Sequence, residues 1–153
     1  MATDAVGNTN AVFTSDRFDR TWHPDGGDSH PPPGRDFAVA IGLAFADAGW
    51  SVMQLPSDPP DDPRSDHWEH SYWYVTLDSG SESYWLFLEP IGDDHLWRVA
   101  FHPRRGCIAS LFGPQTAGSI SARLKTDTET VVRALTNCDD LQWITDSEAE
   151  SLW

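Results

Sequence analysis

Hydrophobic and polar positions follow two rhythms along this chain, and the change from one to the other marks its elements. Downstream of Asp36, the run from Phe37 to Ala48 puts Phe37, Ile41, Ala44, Phe45 and Ala48 on one stripe at helical spacing. Asp36 reads as the N-cap and Gly49 as the left-handed stop. Few charges interrupt the run, so the helix is expected to be largely buried. The rhythm then drops to two: Trp50 to Leu55 alternates apolar and polar side chains up to Pro56, which predicts a short strand. A Pro- and Asp-rich stretch, residues 56–66, reads as a surface loop.

Three more alternating segments, His70 to Leu77, Ser83 to Leu88 and Leu96 to His102, are separated by the turn signals Asp78-Ser-Gly80 and Gly92-Asp-Asp94. Such short connections predict an antiparallel meander. Cys107 to Phe112 reads as a fifth strand or as irregular chain. So does Ser119 to Lys125, where Ile120, Ala122 and Leu124 fall on one side. A second helix is expected from Thr126, which stands in capping-box relation to Glu129, with Val131, Val132, Leu135 and Cys138 facing inward. Leu141 to Thr145 reads as a last short strand. Residues 1–35, rich in Gly, Pro and Asp, read as a partly flexible N-terminal arm that Val12, Phe13, Phe18 and Trp22 could pin down. Residues 36–146 form the single domain and 147–153 an acidic tail.

The expected fold is α+β: an antiparallel sheet of about four to six strands with two helices on one face, in the order α-β-β-β-β-(β)-α-β. Because strand side chains alternate between faces, placing Trp73, Val75, Leu77, Trp97, Val99 and Phe101 under the helices leaves Tyr72, Tyr74, Trp85, Phe87, Arg98 and His102 opposite. That second face is unusually aromatic for a solvated surface. Either it is covered by residues 11–35 or by the loop at 56–66, or it is a site.

Composition narrows the function. The 153 residues suit one domain, and 39% apolar content with eight Trp is too rich in core-forming material for a disordered chain. Acidic residues number 24 against 10 basic ones, a net charge of −14, and Lys125 is the sole lysine. This argues against direct nucleic-acid binding, which needs Lys and Arg to displace phosphate counterions, and against an anionic membrane surface. An acidic surface does steer basic proteins. Excess Asp also has a plainer reading, as solubility or proteome composition. Cys107 and Cys138 form no disulfide framework or zinc pattern, and no long apolar run occurs, so a cytoplasmic, reduced setting is expected.

Candidate chemistry is sparse. Asp66-His67-Trp68-Glu69-His70 gathers two imidazoles and two carboxylates, but not at zinc-protease spacing, and on a strand His67 and His70 point to opposite faces. A polar strand entrance is the simpler reading, and no metal or cofactor is assigned. Arg104 and Arg105 in His102-Pro-Arg-Arg-Gly106 could grip a phosphate or carboxylate, or neutralise nearby Asp. No G-x-S-x-G elbow, Walker loop or dinucleotide fingerprint is present, and no catalytic residue is assigned.

The leading expectation is therefore a non-enzymatic acidic binding or inhibitor protein that occludes a basic surface of a partner, a nucleic-acid-binding protein being one such partner. Immunity proteins, nuclease inhibitors and nucleic-acid-mimicking anti-defence proteins of bacteria and phage share this small acidic design, a likeness of class rather than of motif. Tyr72, Tyr74, Trp85, Phe87, Arg98 and His102 would anchor the partner, while Asp58, Asp61, Asp62, Asp93 and Asp94 with the tail would steer it. The alternatives are a small metal- or His-dependent enzyme built on Asp66 to His70, and a self-associating subunit, a homodimer through the aromatic face.

Overall fold

The computed structural model describes residues 7–21, 32–54, 68–69, 72–92, 95–104 and 120–152. In chain order these form β1 (Asn10–Thr14), α1 (Arg35–Asp47), β2 (Ser51–Met53), β3 (Trp68–Glu69), β4 (Tyr72–Asp78), β5 (Ser83–Ile91), β6 (Leu96–Pro103), α2 (Ala122–Thr136), β7 (Gln142–Ile144) and α3 (Asp146–Glu150). One antiparallel sheet runs β2-β4-β5-β6-β1-β7, with the short β3 also paired to β4. The chain is α+β, as its alternating patterns predict.

The meander lies where the period-two segments placed it, with β4 beginning at Tyr72 rather than His70 and β5 and β6 running slightly further than expected. In β4 and β5 the register sets Trp73 against Leu88 and Val75 against Leu86, and β6 continues that face with Val99 and Phe101. These side chains are buried, and Phe37, Ile41 and Phe45 of α1 with Leu124, Val131 and Val132 of α2 pack onto them as a single core. Pro90 is tolerated inside β5 because pairing with β4 ends at Leu88, so its missing N–H deprives no neighbour on that side. The buried tryptophans keep their indole donors satisfied: Trp73 Nε1 donates to the Pro32 carbonyl at 3.0 Å and Trp97 Nε1 to the Ser15 carbonyl at 3.3 Å.

Several local readings change. α1 starts at Arg35, and its N-cap is Gly34, whose φ of 108° is left-handed. Asp36 lies inside the first turn, where its carboxylate accepts the N–H groups of Phe37 at 2.9 Å and Asp19 at 3.2 Å. Within the segment read as alternating, Ala122 to Lys125 is helix and not strand: Ser121 caps α2 by accepting Leu124 N–H at 3.0 Å, so the helix starts before Thr126. Leu124 enters the core from within α2, while Ile120 precedes the cap and packs against the same core. The capping box forms instead at Thr145 and Glu148, which open α3 in the acidic C-terminal segment.

The N-terminal segment supplies β1, which the sequence reading did not assign. β1 sits inside the sheet between β6 and β7, pairing Val12 with both Arg98 and Gln142. Beyond it the chain turns to the helix-covered side. There Phe18 stacks on Phe37 at 4.0 Å, and the Arg20 guanidinium lies 5.2 Å from the Trp97 ring centre. Arg20 also donates to the carbonyls of Ile91, Gly92 and Leu96, tying the ends of β5 and β6 together. Ser15, Phe18 and Arg20 thus lie on the helix side of the sheet. Cys107 to Phe112 lies outside the described residues.

Candidate functional site

The face opposite the helices is built by strand register. One row across the sheet reads Tyr74, Phe87, Ala100, Asn10 and Ile144. The next reads Met53, Thr76, Trp85 and His102, and a third takes Glu89, Arg98, Val12 and Gln142. Tyr72, two residues before Tyr74, shares this face. All six residues assigned to the aromatic face therefore stand together on it. Tyr72, Tyr74, Trp85, Phe87 and Arg98 are half-buried and His102 is exposed.

The rings hold one another in edge-to-face contacts. Tyr72 meets Phe87 at 5.1 Å, Phe87 meets His102 at 5.1 Å, and Tyr74 meets Trp85 at 5.9 Å. These are favourable quadrupole geometries, so the rings are preorganised as a layer. Met53, 54% exposed, extends the apolar face to the edge strand β2. The Arg104 guanidinium lies 4.9 Å from the centre of the Trp85 ring, a cation–π contact.

Ala100 stands between Phe87 and Asn10 across the sheet and between Arg98 and His102 along β6, and with Tyr72, Trp85, Phe87 and His102 it bounds a depression of about 610 Å³. The polar end of this groove is an ion pair: Arg98 Nη1 donates to Glu89 Oε1 at 2.8 Å, with Glu89 5% exposed. Arg98 Nε donates to Asn10 Oδ1 at 2.7 Å, Asn10 Nδ2 donates to Asp146 Oδ1 at 2.8 Å, and Arg98 Nη2 lies 3.9 Å from that same oxygen. Apolar walls, a few convergent polar groups and a volume of several hundred Å³ match the general make-up of binding clefts.

Beside the groove the sheet turns acidic. From Asp139 to Glu150, a stretch containing β7 and α3, the chain carries five carboxylates and no Lys, Arg or His. Asp140 caps β1, accepting Thr14 N–H at 3.1 Å and the Thr14 hydroxyl at 2.6 Å. Asp146 joins this acidic edge to the groove through Arg98 and Asn10. The other assigned carboxylates, Asp58, Asp61, Asp62, Asp93 and Asp94, lie outside the described residues. So do Asp66, His67, His70 and Arg105, and nothing is described of the Glu69 side chain. Among the described residues no group of three or more His, Cys, Asp or Glu is placed to hold a metal ion, and no helix is long and apolar enough to cross a membrane.

Sequence reasoning missed Glu89 and Ala100. Glu89 continues the alternation of Trp85 and Phe87, so one more residue of strand would have put it on their face. Ala100 lies between Arg98 and His102 at the same parity, and escaped notice because a methyl group looks unremarkable until its neighbours are large. A second depression, of about 540 Å³, lies beside the N-terminus of α1 and is bounded by Asp19, Arg35 and Asp36. It lacks the ring layer. No family model, curated protein or solved structure matches the chain.

Proposed function

We propose that this is a non-enzymatic binding protein whose aromatic sheet face docks on, and occludes, a basic surface of another protein. The observation that carries this reading is the junction at Arg98, where a preorganised ring layer with a central groove meets Asp146 at the start of the acidic helix α3. Rings supply area that binds at small entropic cost, and a net charge of −14 favours a positively charged partner and repels a second copy of the chain. Like-charge repulsion is why a basic partner is preferred to self-association.

The test is affinity capture from a native lysate with the wild type and a Trp85→Ala/Phe87→Ala variant, at about 0.05 M and about 0.5 M salt. The reading expects a basic protein retained by the wild type, reduced at high salt, and lost with the variant when circular dichroism shows the variant folded. Capture that is the same for both chains, or no capture at either ionic strength, contradicts it.

A further inference from the structure

We infer that the end of the groove at Trp85 and Arg104 is a binding site for a planar aromatic carboxylate, a small-molecule ligand that goes beyond the docking reading. The carboxylate would accept from the Arg104 guanidinium and the Trp85 indole N–H, and the ligand's ring would lie in the depression bounded by Trp85, Phe87 and His102.

The site stands out by donors that the chain leaves unused. Arg17, Arg20, Arg98, Arg123 and Arg133 each reach an oxygen of the chain, and Trp50, Trp73, Trp97 and Trp143 each donate their indole N–H. Arg104 and Trp85 depart from that pattern in a chain with 24 carboxylates. The Arg104 guanidinium lies 4.9 Å from the Trp85 ring centre, yet among the described residues no acceptor takes a side-chain hydrogen bond from either. Both side chains are half-buried, and their unused N–H groups reach solvent. His102, directly across the β5 and β6 pair from Trp85, is exposed and adds a third donor with no acceptor among the described residues.

Three donor-bearing side chains with no acceptor beside them call for oxygen atoms on the ligand. A guanidinium set against a ring keeps its N–H groups in its own plane, so the contact holds Arg104 in place and leaves an edge free to meet a carboxylate side-on. Acidic groups of the same face stand elsewhere. Glu89 and Asp146 lie against Arg98 at the other end of the groove, and Asp78 on β4 accepts Gly80 N–H at 2.6 Å. The net charge of −14 repels an anion at long range, but salt screens that repulsion over about 8–10 Å, while contact with Arg104 is far shorter. The walls set the body of the ligand. Trp85 and Phe87 already stand in edge-to-face contacts with their neighbours, and a flat aromatic ring can extend such a layer. The depression, about 610 Å³, has the size of a small-molecule cleft.

Naphthoate, naphthamide and acetate, titrated into the full chain and followed at the Trp85 indole N–H NMR signal, test this directly. Naphthoate is expected to shift the signal and saturate. Naphthamide, of the same shape without the charge, should bind about tenfold more weakly, and acetate, without the ring, should give no saturating shift. Arg104→Met keeps an apolar stem and removes the donors, so it should bring naphthoate down to the affinity of naphthamide and change naphthamide binding by less than about twofold. Should that variant not fold, the ranking of the three probes on the wild type decides alone. Equal binding of naphthoate and naphthamide, acetate binding as tight as naphthoate, a preference for naphthoate that survives in Arg104→Met, or naphthoate binding that leaves the Trp85 signal unmoved overturns the inference. Naphthoate binding without ring-dependent capture of a basic protein leaves this inference standing and contradicts the docking reading. Capture without naphthoate binding does the opposite.

Discussion

A methyl group at Gly34 has nowhere to go. The backbone there has a φ of +108°, and an added Cβ would sit 2.9 Å from Cζ3 of the fully buried Trp97. Gly34→Ala is therefore expected to lower stability by about 2 kcal/mol or more, read from urea unfolding. A loss within error of zero would mean that the helix start and Trp97 shift freely. Thr76 presents the opposite case. Its Oγ1 is buried without a hydrogen-bond partner on the ring face, a burden of about 1–3 kcal/mol. Thr76→Val keeps the shape and removes the unmet hydroxyl, so the same measurement should show a gain of about 1 kcal/mol; a loss would show that the hydroxyl is used. Tyr84 gives a pH dependence. Its burial, and then its hydrogen bond to Glu82, raise the phenol above its ordinary value of 10.0. The folded chain thus keeps a proton that the unfolded chain releases. Stability from this group is full below about pH 10 and declines as pH rises through the higher folded value. Tyr84→Phe should flatten that alkaline decline in a series of urea titrations, and an unchanged slope would assign it elsewhere.

Elements whose apolar pattern is long and consistent were readable from sequence. The three meander strands and α1 are of this kind, because each strand commits three alternate side chains to the core and α1 commits four at helical spacing. Of the elements decided by a few residues, the short strands β2 and β7 were readable, while β1 and α3 were not. β1 is five residues long, and both of its faces matter: Ala11 and Phe13 enter the core while Asn10 and Val12 serve the opposite side. No alternation of polar and apolar positions announces a strand buried on both faces. Ser119 to Lys125 failed differently, since its alternation crosses the cap at Ser121, with Ile120 before the helix and Leu124 inside it. α3 was hidden by its acidity, yet Asp146 and Glu148 in its first turn suit the positive end of the helix, and Ala149 is fully buried. Thr145→Ala removes the capping box and is expected to lower stability by about 1 kcal/mol in urea unfolding. No change would mean that α3 is held by Ala149 and not by its cap.

On the scale of the whole molecule, the sequence made the ring face legible because parity alone sorts side chains between two faces. It did not make the groove legible. That depends on one small residue among large ones, Ala100, and on strand pairings that bring Glu89 to Arg98 and Asn10 to Asp146 across 9 and 136 positions of chain. Long-range register of this sort is fixed by the fold, with no local signal. The charge asymmetry has the same character: 24 carboxylates are countable at a glance, but that Asp146 stands beside Arg98 and Asn10 emerges only when β7 docks next to β1. Docking through this face requires the ring layer to be open to solvent in the free protein. Hydroxyl-radical footprinting of the full chain, read residue by residue by mass spectrometry, measures this. Trp85, Tyr72 and Phe87 should be oxidised readily while Trp73 and Trp97, under the helices, stay protected; protection of both sets alike would contradict the account.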